Sequence, residues 1–220
     1  MSSAHQFVEH IILFKVKDGT DPSRIASMVS RMNSLISLDQ VLHLTAGPIH
    51  RILSSPFDFT LMLHSRYRSK EDLNAYLVHP FHVDVRDSVF PFCDDVMAVD
   101  WIPDDLAGPV VLPAGSAMRV TFSKLKEGSG DAENREVLKA IENGSKSTDR
   151  ISFGKNFSPA RAKGFSIVSV AMFPGLGELN GLDSSADEKI VKLQKENAGG
   201  YLESVMAFDY VIPASQSASS

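Results

Sequence analysis

The sequence predicts an α+β fold built from two tandem β-α-β-β-α-β units whose sheets pair with each other inside one chain. Two observations carry this prediction. Val96-Met97-Ala98-Val99-Asp100-Trp101 returns as Val205-Met206-Ala207-Phe208-Asp209-Tyr210, and Lys15-Val16-Lys17-Asp18-Gly19 returns as Lys124-Leu125-Lys126-Glu127-Gly128, both at an offset of 109 residues. Two independent matches at one offset mark an internal repeat. Between the copies, Ile102 to Ser116 carries Pro103, Gly108, Pro109, Pro113 and Gly115 and reads as a connection. The units are assigned to residues 7–104 and 115–213, with 105–114 as the linker.

The elements follow in order. From Val8 to Lys17 the side chains alternate, with Val8, His10, Ile12, Phe14 and Val16 on one face and Glu9, Ile11, Leu13, Lys15 and Lys17 on the other, which is the period of a strand. After Gly19, Asp21 is placed to cap a helix that Pro22 begins, and Ile25, Met28, Val29, Met32, Leu35 and Ile36 recur at helical spacing. A short strand near Val41–Ala46, another near Phe57–Arg66, a helical stretch from Ser69 and a closing strand Val96–Trp101 complete the unit. The second unit repeats the order, with strands near Ala117–Leu125, Arg150–Gly154, Phe165–Met172 and Val205–Ile212 and helices near Asp131–Glu142 and Ser185–Ala198. This is the ferredoxin-like order. Helices cover one face of each sheet, and the strands are apolar on both faces, so the other faces must be buried. Two linked copies satisfy this by closing their sheets on each other into an α/β barrel with a central cavity.

Composition narrows the function classes. Hydrophobic residues make up 43% of the chain and charged residues 22%, as in a folded globular protein. A net charge of −5 without a Lys/Arg stripe argues against nucleic acid or an anionic membrane surface as a partner. No apolar run approaches the roughly 20 residues of a membrane helix. A lone cysteine, Cys93, excludes an internal disulfide and suits a reducing compartment. A cytoplasmic location is the expectation, with the peroxisome as the alternative, although the final residues do not form a Ser-Lys-Leu address.

The chemistry is unevenly distributed. All seven histidines, His5, His10, His43, His50, His64, His79 and His82, lie within the first 82 residues. Residues 1–110 hold 9 Lys/Arg against 14 Asp/Glu, and Asp84, Asp87, Asp94, Asp95, Asp100, Asp104 and Asp105 read as a solvated acidic rim. Within Tyr76-Leu77-Val78-His79-Pro80-Phe81-His82-Val83, proline disfavours a helical His79 and suits the first position of a new helix. His82 then sits in a first helical turn, where the helix dipole favours neutral imidazole, the form a general base needs. Tyr76 is placed to donate a hydrogen bond from the same rim, and His10 interrupts an apolar strand face. The structural alternative is that His79 caps the break, His82 satisfies a buried carbonyl and His10 is a hydrogen-bonded core residue.

The opening segment Val8 to Gly19, the Tyr76-x-x-His79-Pro80-x-His82-Val83 segment and the closing Val96–Trp101 strand together resemble the plant stress-responsive dimeric α/β-barrel family. The resemblance implies a heat-stable, stress-induced protein whose single-domain relatives form homodimers and mostly have no assigned reaction. It also implies candidate site residues. In a polyketide cyclase of that family, histidines matching His82 and His10 act as base and line the site, and a tyrosine matching Tyr76 positions the substrate. A further histidine of that enzyme falls on Thr60 here; His64 shares Thr60's face but lies about 13 Å along the strand. The resemblance also suggests a hard cation such as Mg2+ on the backbone carbonyls of Met32, Leu35 and Leu38. The second unit lacks this chemistry, since His10 corresponds to Arg119 and no His-Pro segment recurs. The expectations are a stress-response protein that is non-catalytic or binds a small apolar ligand without a cofactor, a cyclase-like lyase or isomerase using His82, or a haem- or flavin-dependent monooxygenase. Pairing of the two domains within the chain is the expected assembly, with a homodimer as the alternative.

Overall fold

The computed structural model describes residues 7–103, 111–144, 151–181 and 200–213. The first unit runs β1 (Val8–Val16), α1 (Pro22–Ser34), β2 (Val41–Pro48), β3 (Arg51–Ser54), β4 (Leu61–Tyr67), α2 (Lys70–Val78), α3 (Pro80–Val89) and β5 (Cys93–Trp101). The second runs β6 (Ala117–Leu125), α4 (Asp131–Gly144), β7 (Ile151–Lys155), β8 (Ile167–Phe173), α5 (Leu176–Gly181) and β9 (Leu202–Val211). The expected helix near Ser185–Ala198 and the linker up to residue 110 lie outside the described residues.

Local chemistry sets the helix starts. Asp21 accepts the Ser23 N–H at 2.7 Å ahead of Pro22, and Ser69 accepts the Asp72 N–H at 3.2 Å to open α2. Asn33 of α1 then clips the outer edge of β2, donating to the Ala46 carbonyl and accepting its N–H, each at 2.8 Å. That occupies backbone groups an edge strand would otherwise expose.

The strands form two antiparallel sheets, β2-β4-β1-β5 and β3-β9-β6-β8-β7. The five-stranded sheet departs from the expected order, because β3 leaves its own unit and pairs with β9 of the other. Only residues from Leu61 onward in the expected Phe57–Arg66 segment are strand. Thr60 instead accepts the Val16 N–H at 3.1 Å and donates to the Phe14 carbonyl at 3.2 Å.

The two faces of β1 serve different layers. Ile11 and Leu13 join Val99 and Trp101 of the first sheet and Val120, Phe122 and Phe208 of the second in one buried apolar cluster. Val8, Ile12 and Phe14 pack instead with Met28, Leu73 and Val85 of the helices. The sheets therefore pack face to face across a shared apolar cluster. The cavity described below lies on the opposite, helix-covered face of the first sheet.

Contacts bind the sheets at both margins. On one side Trp101 Nε1 donates to Ser152 Oγ at 3.0 Å, and a Cβ on Gly154 would stand 2.7 Å from the Ile102 carbonyl and 2.9 Å from Trp101 Cδ1. On the other, the Thr45 and Tyr210 hydroxyls hydrogen bond at 2.9 Å.

One end of the inter-sheet layer is ionic. Glu9 meets His64 Nε2 at 2.5 Å and Arg66 at 3.0 Å, and the His43 ring lies 5.4 Å from that of His64. Burial alone would raise the Glu9 pKa, but Arg66 and His64 outweigh it and hold the carboxyl at about 2. Burial acts on His43 in the opposite sense from its effect on a carboxyl, lowering its pKa to about 3, with His64 and Arg66 adding to the effect.

This packing can be tested at two positions. Gly154→Ala should destabilise the fold by about 1–3 kcal/mol, because backbone and indole must shift to admit one methyl; an unchanged thermal melt would contradict the tight approach of β5 and β7. His43 is neutral when folded but gains a proton below 6.5 when unfolded, so its contribution is intact above 6.5 and is lost as pH falls towards 3. Urea midpoints of His43→Phe should therefore decline less steeply across that window than those of the parent, and identical slopes would refute the assignment.

Candidate functional site

The helix break expected at His79 is present and builds one wall of the site. His79 is extended, ending α2 and preceding Pro80, and its Nδ1 accepts the Phe81 N–H at 3.1 Å. In an uninterrupted helix that N–H would serve the Leu77 carbonyl. His82 Nδ1 meets that carbonyl instead, at 3.1 Å. A carbonyl only accepts, so Nδ1 carries the proton and Nε2 is the basic nitrogen of the neutral ring. Burial lowers the His82 pKa, against the raising effect of the Leu77 contact.

His82 and Tyr76 line a cavity of about 560 Å³ between the first sheet and its helices. Their rings lie 4.4 Å apart. Tyr76 is fully buried with its hydroxyl beside that of Tyr67, and burial pushes its pKa well up, against the lowering effect of the Tyr67 hydroxyl, so it stays protonated. Ile12, Leu63, Val85 and Ala98 supply apolar walls, while Ala160 and Arg161 reach in from the second unit.

The third candidate, His10, does not line this cavity. Tyr67 stands between, its ring 5.0 Å from Tyr76 and 6.2 Å from His10. His10 Nδ1 contacts Asp100 Oδ1 across the β1–β5 pair, and Arg161 donates to Asp100 Oδ2 at 2.8 Å. Asp100 is thus buried and not part of a solvated rim; Asp84, Asp87 and Asp94 are exposed, and Asp104 and Asp105 lie outside the described residues. Burial would raise the Asp100 pKa, but His10, Ser158 and Arg161 hold it at about 2.

Sequence reasoning overlooked the pairing of Asp100 with Arg161. The repeat carried a signal for the aspartate, since Asp100 recurs as Asp209 while His10 becomes Arg119. In the structure Arg119 donates to Asp209 at 2.8 Å, so the pair survives with one base replaced by another. His64 and His43 face the inter-sheet layer, away from the cavity, and Thr60 is exposed and bonded to backbone.

The three helix-end carbonyls that the resemblance offers to a hard cation also serve the backbone. Met32, Leu35 and Leu38 oxygens each accept a backbone N–H, from Leu35, Leu38 and Val41 respectively. Among the described residues no group of three or more His, Cys, Asp or Glu is placed to hold a metal ion. The helix end is thus closed by its own backbone hydrogen bonds.

With the geometry in place, comparison with known proteins decides the family. The stress responsive A/B barrel domain matches twice, over residues 8–103 and 118–212. The chain belongs to that family. Its relatives include a stress-response A/B barrel domain-containing protein of Arabidopsis thaliana that is 47% identical over 219 residues, covering 98% of this chain and 82% of the relative. A second protein of that description from the same plant is 41% identical over 210 residues, covering 94% and 98%. Among solved structures, an anthrone oxidase-like protein superposes with a TM-score of 0.66 at 11% identity, covering 96% of this chain and 93% of the other, which shows a shared two-unit fold. The family read from the His79-Pro80-x-His82-Val83 segment is thus the family found. No helix of the described residues is long and apolar enough to cross a membrane.

The His82 geometry makes a spectroscopic prediction. Nitrogen-15 NMR should show the Nδ1–H tautomer at neutral pH and a titration midpoint below 6.5, because burial disfavours imidazolium. An Nε2–H ring, or a midpoint above that value, would contradict the arrangement.

Proposed function

We propose that the protein serves its stress-response family role by binding a small apolar ligand in the first-domain cavity. One observation carries this reading: about 560 Å³ of largely apolar space encloses a buried Tyr76 hydroxyl and the imidazole of His82. Cavities of this size and lining suit small-molecule ligands, with a few polar groups fixing orientation. A ligand carrying a carbonyl oxygen would give the buried Tyr76 hydroxyl a partner besides Tyr67.

The state of the two polar groups favours a second reading, catalysis of an intramolecular aldol-type cyclisation. Nε2 of His82 would remove a proton from a carbon flanked by carbonyls. The resulting enolate would attack a ketone carbon of the same chain, forming one carbon–carbon bond. Tyr76 would donate to the developing oxyanion, and the proton held on Nε2 would return to that oxygen. The reaction as written needs no cofactor. The supporting features are the occupied Nδ1 of His82 and the raised pKa of Tyr76, which keep one group a base and the other a donor.

Nile red, a neutral apolar dye, should brighten on binding the parent protein. Ala98→Trp, which fills the cavity floor from β5, should abolish the effect while leaving circular dichroism unchanged. Equal brightening by both would sink the cavity reading. For the second reading, a linear polyketide thioester should cyclise faster with the parent than with His82→Ala or Tyr76→Phe, with at least about a hundredfold loss for the histidine variant. Equal product from parent and His82→Ala would remove it.

A further inference from the structure

We propose that the cavity selects an apolar molecule ending in an oxyanion, and that Arg161 of the second domain, together with Arg86 of the first, recognises that end. The proposal rests on the ligand-binding reading above and specifies the ligand's charge. Around the cavity the side chains are apolar, apart from Tyr76, His82 and two arginines; among the described residues no carboxylate lines it. The arginines come from separate domains. Arg86 projects from α3, and Arg161 ends the short 3-10 turn Pro159–Arg161 between β7 and β8.

Both are held in place without being used up. One terminal nitrogen of Arg161 is anchored on Asp100 at 2.8 Å, and Asp100 is shared with His10. Arg86 holds Asp87 Oδ1 through Nε and one terminal nitrogen, each at 2.8 Å, but that carboxylate is 61% exposed and largely screened by water. A guanidinium offers five N–H donors, so donors remain on each side chain beyond these pairs. The Arg86 and Arg161 side chains are 40% and 44% exposed, which puts them at the mouth of the cavity, with apolar walls behind. An apolar chain entering tail first would leave its head at the rim that carries both guanidinium groups, which are suited to carboxylates and phosphates. A neutral carbonyl would take weaker hydrogen bonds from that pair than an oxyanion does. The degenerate second domain thereby contributes to recognition at a site whose acid–base groups all lie in the first.

Calorimetric titration of the full chain with octanoate, octyl phosphate and neutral octanamide tests this. The parent should bind at least one anion about tenfold more tightly than the amide, a difference of about 1.4 kcal/mol. The preferred anion identifies the head group as carboxylate or phosphate. Arg161→Gln and Arg86→Gln should each erode that preference by lowering affinity for the anions more than for the amide. Arg161→Lys, which retains the charge opposite Asp100 but not the planar fork, should show a preference between those of the parent and the glutamine variant, and covers the case in which the glutamine variant folds poorly. Equal affinity of the parent for all three compounds, or an anion preference undiminished in both glutamine variants, would overturn the proposal while leaving cavity binding intact. Failure of all three to bind would overturn both.

Discussion

Two buried carboxylates hold the molecule together. Asp100 and Asp209 occupy the same place in the repeat, near the end of the last strand of each unit, and both are fully buried. Each is paired within its own sheet, Asp100 with His10 and Asp209 with Arg119. Each is then clasped from the other unit. Arg161 reaches Asp100 while Phe157 N–H bonds the Asp100 carbonyl, and Arg51 reaches Asp209 while His50 N–H bonds the Asp209 carbonyl. A buried carboxylate without partners is among the most costly groups a fold can contain. Separating the units would strip each aspartate of its outer arginine, so the apolar layer between the sheets is reinforced by charge pairing that only the assembled pair satisfies.

The same symmetry explains why the two halves diverge. Exchanging His10 for Arg119 keeps a nitrogen-bearing side chain on the buried aspartate but replaces an imidazole ring with a guanidinium. The first unit keeps titratable rings between its sheet and helices, in the row His10, Tyr67, Tyr76 and His82. The second supplies packing surface and, through Arg161, part of the rim around the first unit's cavity. One copy has retained the groups suited to chemistry while the other completes the walls and margins around them.

What was legible in the chain is what local spacing determines. The alternation of β1, the Asp21 cap with Pro22 and the break at His79 each depend on residues within a few positions of one another, and all are present. The repeat revealed the doubled fold because matching strands must match in sequence. The cavity's location was not legible, since both faces of β1 are apolar and only partner strands and helices decide which face has room. Asp100 read as one more surface acid because nothing near it in sequence signals burial; its partners are 90 and 61 positions away. Strand β3 escaped notice for a related reason, as four residues with one exposed isoleucine carry no period of their own and gain strand geometry only from β9.

That four-residue strand also sets a timetable. Arg51–Ser54 leaves the ribosome about 150 residues before its partner Leu202–Val211 is made, so the five-stranded sheet cannot be completed until both units have been synthesised. Until then β3 waits beside the first unit with its ladder unpaired, and the clasp of Arg51 on Asp209 cannot form. When β9 emerges it joins two parts of the chain at once, pairing β6 on one side and β3 on the other. Assembly of this protein is therefore dominated by long-range closure, which makes it slow relative to its size and places the vulnerable interval just before β9 arrives.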